Sequence, residues 1–223
     1  NLLLDYEIKE NSLIFSSKDR NKFHGFIDFK PFYLKANLNY EGISFKEIFN
    51  YDSILVDLIS SQIFNNQNLN VNVIMNIKDI TNLNELNDLR LDINLEQGNI
   101  ILSGSKIKWK DDLHITLKEG MISYDEDKIS LIGKLILETK NINNFYRSFQ
   151  VKKINRKEIK KIEIDFVYNY NENKFKFDNI KIDDSSNESL DNFINSYNSS
   201  QKKFSNKITF KNFINSFFNN YSG

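Results

Sequence analysis

The sequence predicts a mainly β protein, an antiparallel meander sheet flanked by amphipathic helices. Apolar residues alternate with polar ones over most of the 223 positions, short polar turns separate the alternating runs, and apolar residues recur at helical spacing in only four segments. A period of two places apolar side chains on one face of a sheet and polar side chains on the other. Such an antiparallel sheet has one buried and one solvated face.

The most regular alternation extends from residue 91 to residue 138. Three polar tripeptides, at 97–99, 110–112 and 125–127, have the composition of turns and separate the apolar runs. The apolar positions of successive runs are predicted to share one face of the sheet. That predicted face consists of Leu91, Ile93, Leu95, Leu113, Ile115, Leu117, Leu131, Leu135 and Leu137.

Further alternating runs lie on both sides of this meander. The polar stretch from Asp79 to Asp88 is interpreted as a connection, and a change of phase near Asp178 and Asn179 predicts a β-bulge. Gly98 fits a hairpin turn, and Gly133 fits a bulge or a close approach of two strands. The additional strands are predicted at 2–8, 13–17, 22–29, 32–40, 69–77, 162–170 and 174–182.

The longest helical segment extends from Ser44 to Phe64. Ser44 and Glu47 form an S-x-x-E capping box, and the apolar residues that follow make one stripe. We expect this helix to cover an end or a face of the sheet. A membrane-surface helix is the alternative, which is disfavoured because the polar side lacks the usual basic residues.

The end of the chain is predicted to be helical. Ser185 and Glu188 repeat the capping-box spacing, and a second tail helix is predicted to begin near Thr209, after a hinge at 198–200. A short helix is also predicted at 141–150. The predicted organisation is a β domain at 1–183, with the helix 44–64 inserted, and a helical tail at 184–223.

The composition limits the classes of function. Lys plus Arg and Asp plus Glu both total 30, and this zero net charge argues against a general nucleic-acid binder. The absence of Cys excludes disulfides and thiolate metal sites and fits cytosol and periplasm equally. No apolar run approaches the roughly 18 residues of a membrane span. Because the first residue is Asn1, we expect a fragment or a processed piece from which any upstream anchor or address has been lost.

No catalytic constellation is visible. His24 and His114 lie on predicted strands without partners at ligand spacing, and no G-x-S-x-G elbow or phosphate-binding loop occurs. The acidic residues 125–127 lack the spacing of a calcium loop. Trp109 is interpreted as an aromatic near a strand end. We therefore predict no enzymatic activity, no metal and no cofactor.

One basic cluster stands out in this neutral chain. Six cations lie between Lys152 and Lys161. The simplest interpretation of this cluster is a solvated turn. The functional interpretation is contact with anionic lipid headgroups or with an acidic partner. Nucleic acid is the third candidate for what the cluster contacts. The residues assigned to headgroup contact are Lys152, Lys153, Arg156, Lys157 and Lys160.

The segment from Gly25 to Asp183 resembles the C-terminal domain of AsmA-like proteins of the Gram-negative envelope. The resemblance covers roughly three quarters of the chain. It lies in an order of strands and small motifs. These motifs are GFIDF, FYLKANLNYEGISFKEIF, LNVNVIMNIKDI, LRLDINLEQGNIILSGSKIKWKD, ISLIGKLILETKNINNFYRSFQVKK and FDNIKIDD, followed by a helix and an asparagine-rich amphipathic end.

The resemblance implies a strongly curved sheet that forms a groove and holds acyl chains on its apolar concave face. It further implies a bridge-like carrier of phospholipid or another acyl lipid that supports outer-membrane assembly. Such a protein faces the periplasm and is anchored in the inner membrane by a segment that this chain lacks. Envelope proteins are then possible partners, and nucleic acid is not expected.

Two other classes of function stay open at this stage. The first is a structural or scaffolding β domain whose core is closed by its own helices and holds no lipid. The second is an enzyme on a β scaffold, for which the sequence offers no candidate nucleophile. An apolar sheet face needs a cover, and a helix, a second sheet or a lipid would each provide it. Lipid that copurifies with the protein would distinguish the groove from the scaffold.

Overall fold

The fold is mainly β, as predicted. In the computed structural model, residues 4–18, 22–44, 61, 66–81, 83–125, 128–200 and 207–222 are described. The strands among these residues form one twelve-stranded sheet. The strands are β1 (Leu4–Ile8), β2 (Ser12–Ser17), β3 (Phe23–Phe29), β4 (Phe32–Ser44), β5 (Asn70–Thr81), β6 (Leu86–Glu96), β7 (Asn99–Ile101), β8 (Lys106–Trp109), β9 (Leu113–Asp125), β10 (Lys128–Thr139), β11 (Lys161–Asn169) and β12 (Lys174–Ile182).

Neighbouring strands of the sheet follow one another in the sequence. All the pairings are antiparallel except that of β4 with β5, which is parallel. A parallel pair needs a long crossover connection, and residues 45–69 supply it. The predicted helix from Ser44 to Phe64 falls on this connection; Ser44 ends β4, and the rest of that segment lies almost entirely outside the described residues.

Strands β7 and β8 act as two halves of one interrupted strand between β6 and β9. Both halves pair with β6 and with β9. The interruption lies at residues 102–105, where the buried Ser105 hydroxyl accepts a hydrogen bond from the backbone N–H of Asp92 at 3.0 Å. This side chain replaces a ladder bond, so the N–H of Asp92 stays paired where the strand is interrupted.

The described part of the chain contains three α-helices, all after the last strand pair of the central meander. They are α1 (Ile142–Phe149), α2 (Glu188–Ser199) and α3 (Lys207–Ser222), and a 3-10 turn lies at Lys153–Asn155. The predicted capping residue of α2 is wrong: Asn187, not Ser185, caps the helix, and its side chain accepts the N–H of Leu190 at 3.0 Å. Ser185 instead pairs with Ile182 in an isolated β-bridge.

The main hydrophobic core lies between strands β8–β12 and the three helices. Tyr146 of α1 packs edge-on against Phe218 of α3, with ring centroids 4.8 Å apart. Phe213 of α3 stacks on Phe177 of β12 at 5.3 Å. The helices of the tail and the sheet therefore share one core.

The prediction of a polar connection from Asp79 to Asp88 is wrong. Strand β5 continues to Thr81 and β6 begins at Leu86, with Asp79 paired to Asn87 across the two strands. Polar side chains do not prevent a strand, because the backbone supplies the hydrogen bonds of the ladder. Ile80, which is buried among its neighbours, stabilises this end of β5.

Two predicted irregularities are confirmed. The register of β9 and β10 shifts at Gly133, and that of β11 and β12 shifts close to Asn179. A Cβ atom on Gly133 would lie 2.8 Å from a methyl carbon of Leu117 and 3.1 Å from the Cα of Gly120. The two strands approach each other here more closely than any other residue type allows.

We predict that Gly133→Ala lowers the free energy of unfolding by about 1–3 kcal/mol, because the added methyl group overpacks the bulge. Urea denaturation measures this change. Gly42→Ala is the matched control, since a Cβ atom there meets only the Asp79 carbonyl oxygen at 3.7 Å. Equal stabilities of the two variants would show that the close approach at Gly133 is absent.

Candidate functional site

One apolar face extends across the whole sheet. The strand register aligns Leu38 with Met75 and Met75 with Leu91, and on the other side it aligns Ile115 with Leu137. Partners in a ladder point to the same face, and one row of partners continues from one meander to the other without a break. From the first strand to the last, this row consists of Ile8, Leu13, Ile27, Leu34, Val71, Leu95, Ile100, Ile122, Leu131, Tyr168 and Phe175.

The register places the nine residues predicted to line a lipid groove on this face. Leu91, Ile93 and Leu95 lie on β6, where they oppose Met75, Val73 and Val71 of β5. The other six lie on the neighbouring pair β9 and β10, where Leu117 opposes Leu135. The sequence-based set omits the members of this face on β2–β5, β11 and β12. Their alternation is equally visible in the sequence.

The second half of the face, on strands β8–β12, is covered by the protein itself. Leu113 is only 2% exposed within the core that the three helices close. Ile115, Leu117, Leu131, Leu135 and Leu137 pack against the same core. Six of the nine predicted lipid contacts are therefore contacts to protein in this structure.

The first half of the face, on strands β1–β7, differs. Among the described residues, the core closed by the helices takes no side chain from these strands. A smaller cluster of Ile77, Ile80 and Leu89 lies at one end, with Leu91 packed beside it. Most other apolar side chains of this half are half-buried, and at the edge strand Leu4, Tyr6 and Ile8 are 51%, 66% and 70% exposed.

Two open depressions lie along strands β4–β6. One, of about 470 Å³, is lined by Phe32, Val71 and Leu95 together with polar neighbours. The other, of about 840 Å³, lies towards the opposite ends of these strands and is lined by Tyr40, Ile77 and several charged residues. Both depressions are lined by apolar and polar side chains together, and such a mixed lining suits an amphipathic ligand.

The candidates for catalytic chemistry are not brought together. The His24 ring lies within hydrogen-bond distance of the Asn37 amide, at 3.1 Å, and His114 Nε2 is buried without a hydrogen-bond partner among the described residues. Within the described part of the chain, no group of three or more His, Asp or Glu side chains is placed to hold a metal ion. No helix there is long and apolar enough to cross a membrane.

The basic cluster lies in the loop at residues 151–160, between α1 and β11, which we call the basic loop. Lys152, Lys153, Lys157 and Lys160 are exposed, and Arg156 is half-buried. The loop also carries Ile154, an exposed apolar residue that sequence reasoning missed. The only signal in the sequence is an isoleucine among lysines that belongs to no alternating or helical stripe.

Comparisons of the chain with protein-family models, with curated proteins and with solved structures find no match. The resemblance to AsmA-like proteins therefore stays a prediction from the motifs.

We predict that Phe218→Ala lowers the free energy of unfolding by about 3–5 kcal/mol, because its buried ring fills the contact of α3 with Tyr146. The exposed Asn212 lies on the same helix, and Asn212→Ala should change stability by no more than roughly 0.5 kcal/mol. Thermal and urea denaturation compare the two. A Phe218→Ala protein as stable as the parent would show that α3 does not close the core.

Proposed function

We propose that this chain is a non-enzymatic envelope protein that binds or conducts phospholipid along the first half of its apolar face. The single observation behind the proposal is that the face continues across every strand, while the described helices pack only on its second half. A large contiguous apolar surface is the usual mark of a binding site. Acyl chains match it because they are apolar along their whole length.

The dimensions support an acyl ligand. Neighbouring strands lie about 4.8 Å apart, so strands β1–β6 span about 24 Å across the sheet. One leaflet of a bilayer holds acyl chains about 15 Å long, half of the hydrocarbon thickness of about 30 Å. The first half of the face is thus wide enough to hold the acyl chains of one lipid, and the polar groups beside the depressions can solvate its headgroup.

The resemblance to AsmA-like proteins supplies the biological setting of the proposal. That setting is the periplasmic side of the cell envelope, an inner-membrane anchor outside this chain, and a contribution to outer-membrane assembly. Partners are phospholipid and, in that setting, other envelope proteins.

A structural β domain without a lipid ligand is the second candidate. The closed core of strands β8–β12 favours it, because there the protein's own helices provide the cover that the groove hypothesis assigns to lipid. The two candidates differ only in what occupies the first half of the face. Variants in that half therefore distinguish them.

We predict that Val73→Asp abolishes binding of phospholipid while the domain stays folded. Val73 is half-buried at the centre of the first half of the face. The carboxylate of the introduced Asp would therefore remain close to water when no lipid is bound. With lipid bound, the same charge would be buried without a partner, which is strongly unfavourable. Native mass spectrometry of the purified protein and crosslinking to a phospholipid with a photoreactive acyl chain measure the binding, and circular dichroism reports folding.

The matched control is Ile132→Asp, which places the same charge on the opposite, polar face, at a side chain that is 40% exposed. It should bind lipid as the parent does. Ile115→Asp provides the contrast, since Ile115 packs against the closed core and its replacement should unfold the domain. A parent protein that carries and crosslinks no lipid, together with a Val73→Asp variant that unfolds, would support the scaffold and overturn the groove.

A further inference from the structure

The basic loop combines buried ends with an exposed centre. Val151 and Ile159 are both 1% exposed and belong to the main core. Ile154, midway between them, is 86% exposed, the highest value for any large apolar side chain among the described residues. A lone exposed apolar residue is ordinary on a protein surface. This one is held out by a fixed loop and surrounded by cations.

Side chains hold the backbone of the loop on both sides of Ile154. The hydroxyl of Tyr146, a buried group whose pKa is raised by that burial, donates to one carbonyl of the loop. Lys157 lies over the ring of Tyr221 at 5.0 Å. Three of the side-chain hydrogen bonds to loop carbonyls are Tyr146 Oη to Lys157 O at 2.7 Å, Arg156 Nε to Val151 O at 2.9 Å, and Ser222 Oγ to Asn155 O at 2.7 Å.

The cations beside Ile154 are not neutralised. Among the described residues, neither Lys152 nor Lys153 is within ion-pair distance of a carboxylate, and Glu158 is the only acidic residue of the loop. Lys161, just after the loop, behaves differently: hydrogen bonds to Glu163 and then to Asp184 raise its pKa. The positive charge of the loop is therefore concentrated around its exposed isoleucine.

We propose that the basic loop docks the protein on the surface of an anionic lipid bilayer, with Ile154 inserted below the headgroups and Lys152 and Lys153 on the phosphates. A bilayer surface uses both features, because cations gain from its negative potential and an apolar side chain gains from its interior. An acidic polypeptide or a nucleic acid would use the cations and leave Ile154 without a role. The inference goes beyond the proposed groove, since it concerns a membrane surface and not a single bound lipid.

The first test measures binding of the full chain to vesicles by cosedimentation. Vesicles of equal parts phosphatidylcholine and phosphatidylglycerol should bind the protein, and vesicles of phosphatidylcholine alone should not. The double variant Lys152→Ser with Lys153→Ser should bind roughly tenfold to thirtyfold more weakly, at about one kcal/mol for each cation. Ile154→Ser should weaken binding by roughly tenfold or more, because the variant loses one inserted aliphatic side chain.

Matched controls use exposed residues far from the loop in sequence. Lys128→Ser with Lys176→Ser removes two exposed lysines, and Ile132→Ser removes an exposed isoleucine. All of these variants change exposed side chains and should melt as the parent does. The control proteins should bind the anionic vesicles with unchanged affinity.

A second test follows the position of the side chain itself. The chain has no Cys, so Ile154→Cys gives a single thiol for an environment-sensitive dye. The emission of the dye should shift to that of an apolar medium when anionic vesicles are added, and the same dye at Ile132→Cys should not respond. A dye at position 154 that stays in water on bound protein would overturn the insertion of Ile154.

Other outcomes also decide the proposal. Loop variants that bind vesicles like the parent, while Val73→Asp does not, would assign vesicle binding to the groove and overturn a membrane contact of the loop. Polyglutamate that binds the parent more tightly than anionic vesicles, unaffected by Ile154→Ser, would assign the loop to an acidic protein. Failure of lipid crosslinking in the groove would leave the vesicle result unchanged, so the two proposals can fail separately.

Discussion

A β-sheet with one apolar face has to have that face covered, and this constraint shapes the whole molecule. The side chains of successive strands stay in phase across the sheet, including the parallel pair β4 and β5, so that a single apolar surface results. A shift of one residue in any strand would send its apolar side chains to the solvated face. The bulge at Gly133 and the interruption at 102–105 break the regular ladder while the phase of the apolar side chains is kept.

The two halves of the face satisfy the constraint differently. On strands β8–β12, the aromatic residues of α3 pack against those of α1 and of β12, and this closed core supplies most of the fully buried side chains. The first half of the face contributes fewer fully buried side chains. Under the proposed function, the closed half anchors the fold while the other half exchanges an apolar ligand without unfolding of the domain. The difference in packing between the two halves follows from where the described helices dock and not from any single residue.

Much of the fold could be predicted from the sequence, because alternation and turn composition are local properties. The strands of the central meander, the bulge near Asn179 and the helix at 142–149 follow from them. The direction in which β4 meets β5 does not, since alternation defines a face and leaves the partner open. The Phe213, Phe217 and Phe218 stripe predicts a helix but not the sheet that it covers. The exposure of Ile154 could not be predicted from the sequence either, because it depends on hydrogen bonds from Tyr146 and Ser222 to the backbone of the loop.

The parallel ladder between β4 and β5 is a seam between two meanders. Strands β1–β4 are joined to the remainder of the described sheet through this ladder, and the helices pack on the other meander. Separation of the seam exposes little of the closed core, so we expect it to cost less free energy than unfolding of the whole domain. Strands β1–β4 are then expected to form a cooperative unit of their own, whose backbone amides exchange with solvent through sub-global opening while the amides of β10 and β11 exchange only through global unfolding.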